Sequence, residues 1–424
     1  MREETPARPV GQPAPEGKTY PVHRYWLLLA AYLTSSVGNW MYRLTLPLLV
    51  LHLTDSALAT GGLYALEYLP YLLLAMFGGV IADRFDRRRV LIAGDLAAGV
   101  IACALALFVM AGAQPIWLIF VLTFLLACVD PLYQPAFQSI LPALVPPERL
   151  ATANARVHMG DWTLSAVGPV IGAAVVTALG YQTAIFLDAG TFLVSALLIL
   201  LIGRRSAVPA VSRAVAVGRS VFADIREGLR YLFRENRIVL SSALLSMAGN
   251  FAIWLALANL IFYLTEYHRF TPTEIGVVYG MQGVGAVLGA ALVGRLLRRF
   301  PPGPLMIWAM AVGGLAVLCL IPARGPVAIG AAWLVQFAAA GVLGVSALTL
   351  RQRLIPERLL GRVLGSARML GFASIPLASI VTGALEYALH DMYVILAVSG
   401  VIWLLLSVAV SRSPLRRAVL ESAA

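Results

Sequence analysis

The chain has 424 residues, of which 60% are apolar and 12% charged, with a mean hydropathy of +0.84. A soluble globular domain carries about 25% charged residues, so this composition excludes one and points to a membrane protein. The net charge of +11 raises nucleic acid as a partner, but the placement of the charge, given below, argues against it.

In chain order, residues 1–24 hold Pro6, Pro9, Pro13, Pro15 and Pro21 and read as a disordered tail with no signal peptide. A bilayer-crossing helix needs roughly 20 mostly apolar residues. Twelve stretches meet that need, at about 26–52, 57–82, 90–112, 116–140, 157–179, 183–203, 238–264, 274–297, 304–322, 326–350, 363–386 and 392–411. They are too long for the strands of a membrane barrel. The expected fold is therefore an all-α membrane protein of two six-helix bundles, 25–203 and 237–411, with a second tail at 412–424. The segment 204–236 between them begins as a Pro/Ser/Ala-rich linker. It continues with Val221, Phe222, Ile225, Leu229, Leu232 and Phe233 opposite Arg226, Arg230 and Arg234, the spacing of an amphipathic helix lying on a membrane surface.

With the N-terminus inside, almost every arginine falls in an inward segment. Outward loops hold only Arg269 and Arg324, while Arg43 and Arg368 lie within spans. That asymmetry is the positive-inside rule, so the basic balance sets topology and implies no nucleic acid. Arg84-x-x-Arg87-Arg88 recurs as Arg295-x-x-Arg298-Arg299, and Pro147-Glu148-Arg149-Leu150 as Pro356-Glu357-Arg358-Leu359. Both copies stand at matching places in the two halves, the pattern of a parallel duplication. The second copy has Gly294 where the first has Asp83.

Ionisable groups inside a bilayer are costly and face a partner or a water-filled cavity. Arg43 and Glu67 fall in spans one and two at depths that a long guanidinium can bridge. Glu67 is the first candidate for carrying a proton, against the alternative of a permanent structural ion pair. Asp130, the second candidate, precedes Pro131, which removes a backbone donor and interrupts span four. Asn39, Asn250, Gln282 and Gln336 are uncharged polar residues within spans, suited to binding a substrate or to bonding between helices. Tyr64, Tyr68 and Trp254 are candidate cavity walls; Asp95, Asp161 and Asp188 read as interfacial or helix-capping. Cys103, Cys128 and Cys319 lie in spans and imply no disulfides, and the histidines show no metal spacing. The sole lysine is Lys18 in the tail, so the glycine run of span eight is no nucleotide loop. No cofactor, metal or enzyme chemistry is expected.

The turn after span two, Gly79-Val-Ile-Ala-Asp83-Arg84-Phe-Asp86-Arg87-Arg88-Arg89, resembles the Gly-x-x-x-Asp-(Arg/Lys)-x-Gly-(Arg/Lys)-(Arg/Lys) signature of the major facilitator superfamily of secondary transporters. It departs from that pattern at Asp86, where the family has glycine. Gly168-Pro169-x-x-Gly172 in span five resembles the helix-five motif of the family's proton-coupled exporters. Ser56–Gly61, Pro135–Phe137, Leu141–Val145 and Leu150–Asn154 are similar to the bacterial branch holding the enterobactin exporter and macrolide-efflux proteins. The resemblance implies two bundles rocking about a midplane cavity. It implies that Gly79, Asp83 and Arg84 close the inner side against Arg362–Ser366, with Arg87 and Arg88 holding the loop. It also implies that Asp130 and Arg368, on spans four and eleven, approach each other as an inner gate. Relatives that export drugs carry an arginine in span four, and this chain has none. The function so implied is proton-coupled export of an amphipathic organic molecule (drug, macrolide or siderophore) by a monomer in the bacterial cytoplasmic membrane, both termini cytoplasmic. Its partners are the lipid bilayer, that small molecule and protons. Uptake or facilitated diffusion is the alternative, and a non-transporting sensor or scaffold the reading from another class.

Overall fold

A computed structural model describes residues 21–112, 115–203, 221–356 and 359–417, and every regular element among them is helical. The first half contains α1 (Val22–Thr54), α2 (Ala57–Arg84), α3 (Arg87–Met110), α4 (Ile116–Ala127), α5 (Asp130–Leu144) and α6 (Pro147–Leu201). After α7 (Val221–Arg230), the second half contains α8 (Arg237–Leu257), the single turn α9 (Leu260–Phe262), α10 (Pro272–Leu296), α11 (Pro302–Cys319), α12 (Gly325–Leu354), α13 (Leu360–Leu389) and α14 (Met392–Ser411). The linker residues 204–220 lie outside the described residues, and α7 occupies the place of the expected amphipathic helix.

Local chemistry sets the breaks. Asp55 ends α1 in a left-handed conformation (φ 47°), and Ser56 caps α2 by accepting from the Ala59 amide. Pro131 opens α5, so span four is two helices that meet at Cys128–Val129. At 55 residues α6 is more than twice the length that one crossing requires, and Gly180, at φ 83° and ψ 168°, bends it into two arms. Thr271 and Glu274 form a reciprocal capping box at the start of α10.

Among the described residues nine helical stretches are long and apolar enough to cross a membrane. The twelve expected from the sequence require α1 and α2, of 33 and 28 residues, and both arms of α6 to cross as well.

Two seams join the halves, α2 against α13 and α6 against α10. A Cβ on Gly61 would stand 2.5 Å from the Ser379 carbonyl, and one on Gly283 would strike the Ala166 backbone. Small residues let these backbones touch where lipid supplies no hydrophobic drive between helices. At the face remote from the chain ends, one apolar cluster draws on both halves: Leu44, Leu48, Leu51 and Ala173 pack with Leu255, Tyr263, Val278 and Trp333. At the terminal face the described clusters stay within halves. Tyr25, Leu91, Leu144 and Ile199 form one, and Leu232, Val239, Ile355 and Val363 another.

Candidate functional site

Tyr32, Ser36, Asn39, Trp40 and Arg43 recur at three- and four-residue spacing along α1 and so share one face of that helix. That face borders a cavity of about 250 Å³. Glu67 and Tyr71 of α2, Asp95 of α3, Asp130, Tyr133 and Gln134 of α5, and Asp161 of α6 complete its polar wall. Every lining residue belongs to the first half.

Arg43 Nε lies 3.2 Å from Glu67 Oε1, with side chains 35% and 18% exposed. The same guanidinium sits 5.0 Å from the centroid of the Trp40 ring, whose Nε1 donates to Asp161 Oδ1 at 3.2 Å. Asp130 accepts from the Tyr71 hydroxyl and, at 3.4 Å, from Gln134 Nε2. Asp95, 2% exposed, accepts from Ser195 Oγ at 2.7 Å. Ionised oxygens in a low-dielectric wall need partners, and here the donors are one guanidinium and several neutral groups.

Of the expected cavity residues, Asn39 and Arg43 border this cavity. Tyr64, Tyr68 and Trp254 lie beside it and bridge the halves: the Trp254 centroid is 5.6 Å from Tyr64 and 4.9 Å from Tyr68. Asn250 donates to the Gly371 carbonyl at 3.3 Å, and Gln282 accepts from Trp333 Nε1 at 2.8 Å, so both tie helices of the second half together. Gln336 is fully buried beside Gly313. None of these three amides lines the cavity.

Asp130 and Arg368, the expected gate, make no direct ion pair among the described residues: Asp130 is held by Tyr71 and Gln134, while exposed Arg368 lies 5.1 Å over the Phe372 ring, where its charge still acts on Asp130. The reading of Asp95, Asp161 and Asp188 as interfacial or capping is also corrected. Asp95 and Asp161 border the cavity, and Asp188 is fully buried against Gly38 with neither oxygen bonded among the described residues.

Within the turn after α2, the side chains of Gly79, Asp83 and Arg84, and of their expected partner Arg362, lie outside the described residues. Asp86 has a clear local role: it caps α3, accepting from the Arg89 amide at 3.2 Å. That cap is a structural reason for a carboxylate where the family has glycine. Arg87 donates to the Ser139 carbonyl at 2.9 Å. Arg88 donates to the Ile199 and Leu200 carbonyls at 3.1 and 2.7 Å, closing the C-terminus of α6. Gly168 packs on Trp40, a Cβ at Gly172 would meet the Met41 carbonyl at 3.0 Å, and the Pro169 carbonyl faces Gly276 of α10. The helix-five motif thus sits between the cavity-lining face of α1 and the other half.

For Asp161, the sequence carries a signal that depth alone does not. Its spacing to Gly168 and Gly172, seven and then four residues, puts all three on one helical face toward α1.

The profile of the Major Facilitator Superfamily matches residues 28–379. The multidrug efflux pump Tap of Mycolicibacterium fortuitum is 29% identical over 93% of this chain and 97% of its own length. Macrolide efflux protein A of Streptococcus pyogenes is 21% identical over 71% of this chain and 74% of its own. Among solved structures, the nucleoside transporter NupG superposes with a TM-score of 0.77 over 92% of this chain and 99% of its own, at 12% identity, a likeness of fold. Paired helical halves, a polar cavity inside one of them and a profile match across most of the chain lead to one assignment: the protein belongs to the Major Facilitator Superfamily and is a multi-pass membrane transporter, not an enzyme.

Proposed function

We propose that this transporter has twelve spans and exports an amphipathic organic molecule in exchange for protons. It acts as a monomer in the bacterial cytoplasmic membrane, with both chain ends in the cytoplasm. The Arg43–Glu67 pair inside the first-half cavity carries the reading. A carboxylate that pairs with a guanidinium in a low-dielectric wall binds a proton only by giving up that partner. Protonation of Glu67 therefore frees Arg43 and changes the charge the cavity presents to its cargo. Proton and cargo then occupy the site in alternation. The apolar cluster shared by the halves at the far face, with unshared clusters at the terminal face, supports a resting arrangement that takes cargo from the cytoplasmic side. Likeness over most of the chain to a multidrug and a macrolide efflux protein favours export over uptake.

The test is transport of a dye and macrolide panel in proteoliposomes under imposed pH gradients of either sign. Flux should reverse with the gradient. Equal flux in both directions would rule out proton coupling.

A further inference from the structure

We propose that Asp161 and Asp130 form a subsite for an organic cation, a protonated amine or onium group carried on an aromatic or apolar body. The proposal deepens the proposed function and rests on its reading of the first-half cavity as the cargo site.

Charge carries the argument. Glu67, Asp95, Asp130 and Asp161 border the cavity, and Arg43 is the sole cation among its lining residues. That guanidinium is committed, with Glu67 at 3.2 Å on one side and the Trp40 ring on the other. Arg368, on the second half, lies over Phe372 and pairs with no carboxylate among the described residues. Asp95 is turned to Ser195. Asp130 and Asp161 take hydrogen bonds from neutral donors only, a phenol, an amide and an indole, while the Arg43 charge acts on both at longer range and Arg368 adds a smaller attraction to Asp130. Such donors fix the direction of a carboxylate without cancelling its charge. Four carboxylates against one cation leave an excess of negative charge along the wall, which is costly where water is sparse, and an entering cation relieves it.

The rest of the wall fits that ligand. Tyr32 and Tyr71 add aromatic side chains to the wall, the kind of group that attracts a cation, as the Trp40 ring already does for Arg43. Tyr133, 8% exposed, borders the same cavity. A metal ion is a poorer fit. Calcium asks for about 6–8 oxygen ligands, and among the described residues no three His, Cys, Asp or Glu side chains are grouped to hold a metal. The volume, about 250 Å³, falls below the range of roughly 300–1,000 Å³ for sites that enclose a drug-sized molecule. The subsite thus receives the cationic head while the body extends toward the seam with the second half.

The test uses the full chain in nanodiscs, titrated with three probes of similar bulk, with empty nanodiscs as baseline: tetraphenylphosphonium, tetraphenylborate and triphenylphosphine oxide. The phosphonium should bind and the other two should not compete with it. Asp161→Asn and Asp130→Asn should each weaken phosphonium binding by about tenfold or more, as when one charged partner is removed, and Asp161→Glu should restore it. Borate or phosphine oxide binding as tightly as phosphonium would overturn the subsite, a result read on the unaltered protein whether or not the variants fold. So would unchanged phosphonium affinity in folded Asp161→Asn and Asp130→Asn. Phosphonium binding without gradient-driven flux of any cargo keeps the subsite and defeats the export reading. Gradient-driven flux with no preference for charge in binding does the reverse.

Discussion

The two halves carry recurring motifs and differ in what their buried polar groups do. In the first half Arg43, Glu67, Asp95, Asp130 and Asp161 face a common cavity. In the second half the polar groups face neighbouring helices. Asn250 bonds the Gly371 carbonyl, Gln282 bonds Trp333, and Thr382 bonds the Leu255 carbonyl at 2.7 Å. Arg351, 8% exposed, is spent on Ser242 and Ser246. One half thus keeps chargeable groups on a cavity while the named polar residues of the other brace its helices. On the proposed function, the first half is the chemical unit and the second moves against it along the two small-residue seams.

Substitutions can break or sharpen this contrast. The largest effect is expected at the joint: Gly283→Leu drives a side chain into the Ala166 backbone, and over-packing typically costs about 1–3 kcal/mol, with the upper end expected where backbone is struck. Thermal unfolding in detergent and loss of transport should both report it. Arg43→Ala leaves Glu67 without its cation. A fully buried broken pair costs about 3–5 kcal/mol, and with the Arg43 side chain 35% exposed the expected loss is about 2 kcal/mol, partly recovered in Arg43→Ala/Glu67→Gln. Next, Asp86→Ala removes the cap of α3 and should cost about 1 kcal/mol, whereas Asp86→Gly, the family's own residue, should cost only about a few tenths. The smallest effect belongs to the struts: Asn250→Ala should lower stability by about 0.6 kcal/mol and leave gradient-driven flux intact. Loss of flux in a stable Asn250→Ala would put cargo chemistry in the second half and undo the contrast.

Much of the architecture is legible in the chain because bilayer physics writes it in coarse letters. Long apolar runs set the helices, arginine placement sets the expected orientation, and the recurrence of Arg84-x-x-Arg87-Arg88 near Arg295 marks the halves. The nearness of Arg43 and Glu67 was legible too, since depth along two consecutive helices fixes which groups can meet. Depth does not say which side of a helix a residue occupies, and the misreadings share that cause. Asp130 and Arg368 sit at matching depths, yet Asp130 turns to Tyr71 on α2 and to Gln134 one turn along its own helix. Asp95 and Asp161 were placed near membrane faces, yet their helices turn them inward. The bend of α6 at Gly180 was readable only as a gap between two spans, because a single left-handed glycine carries little signal inside a long helical pattern. Asp86 departs from a family pattern, and a helix cap explains that departure locally.

The most direct measurement of the central claim, that Glu67 in the first-half cavity couples cargo to protons, compares Glu67→Gln with the unaltered chain in proteoliposomes. Gradient-driven flux and cargo exchange at zero gradient are recorded on the same preparations. The account predicts that Glu67→Gln loses gradient-driven accumulation and keeps exchange. Gradient-driven accumulation at the unaltered level in Glu67→Gln would contradict it.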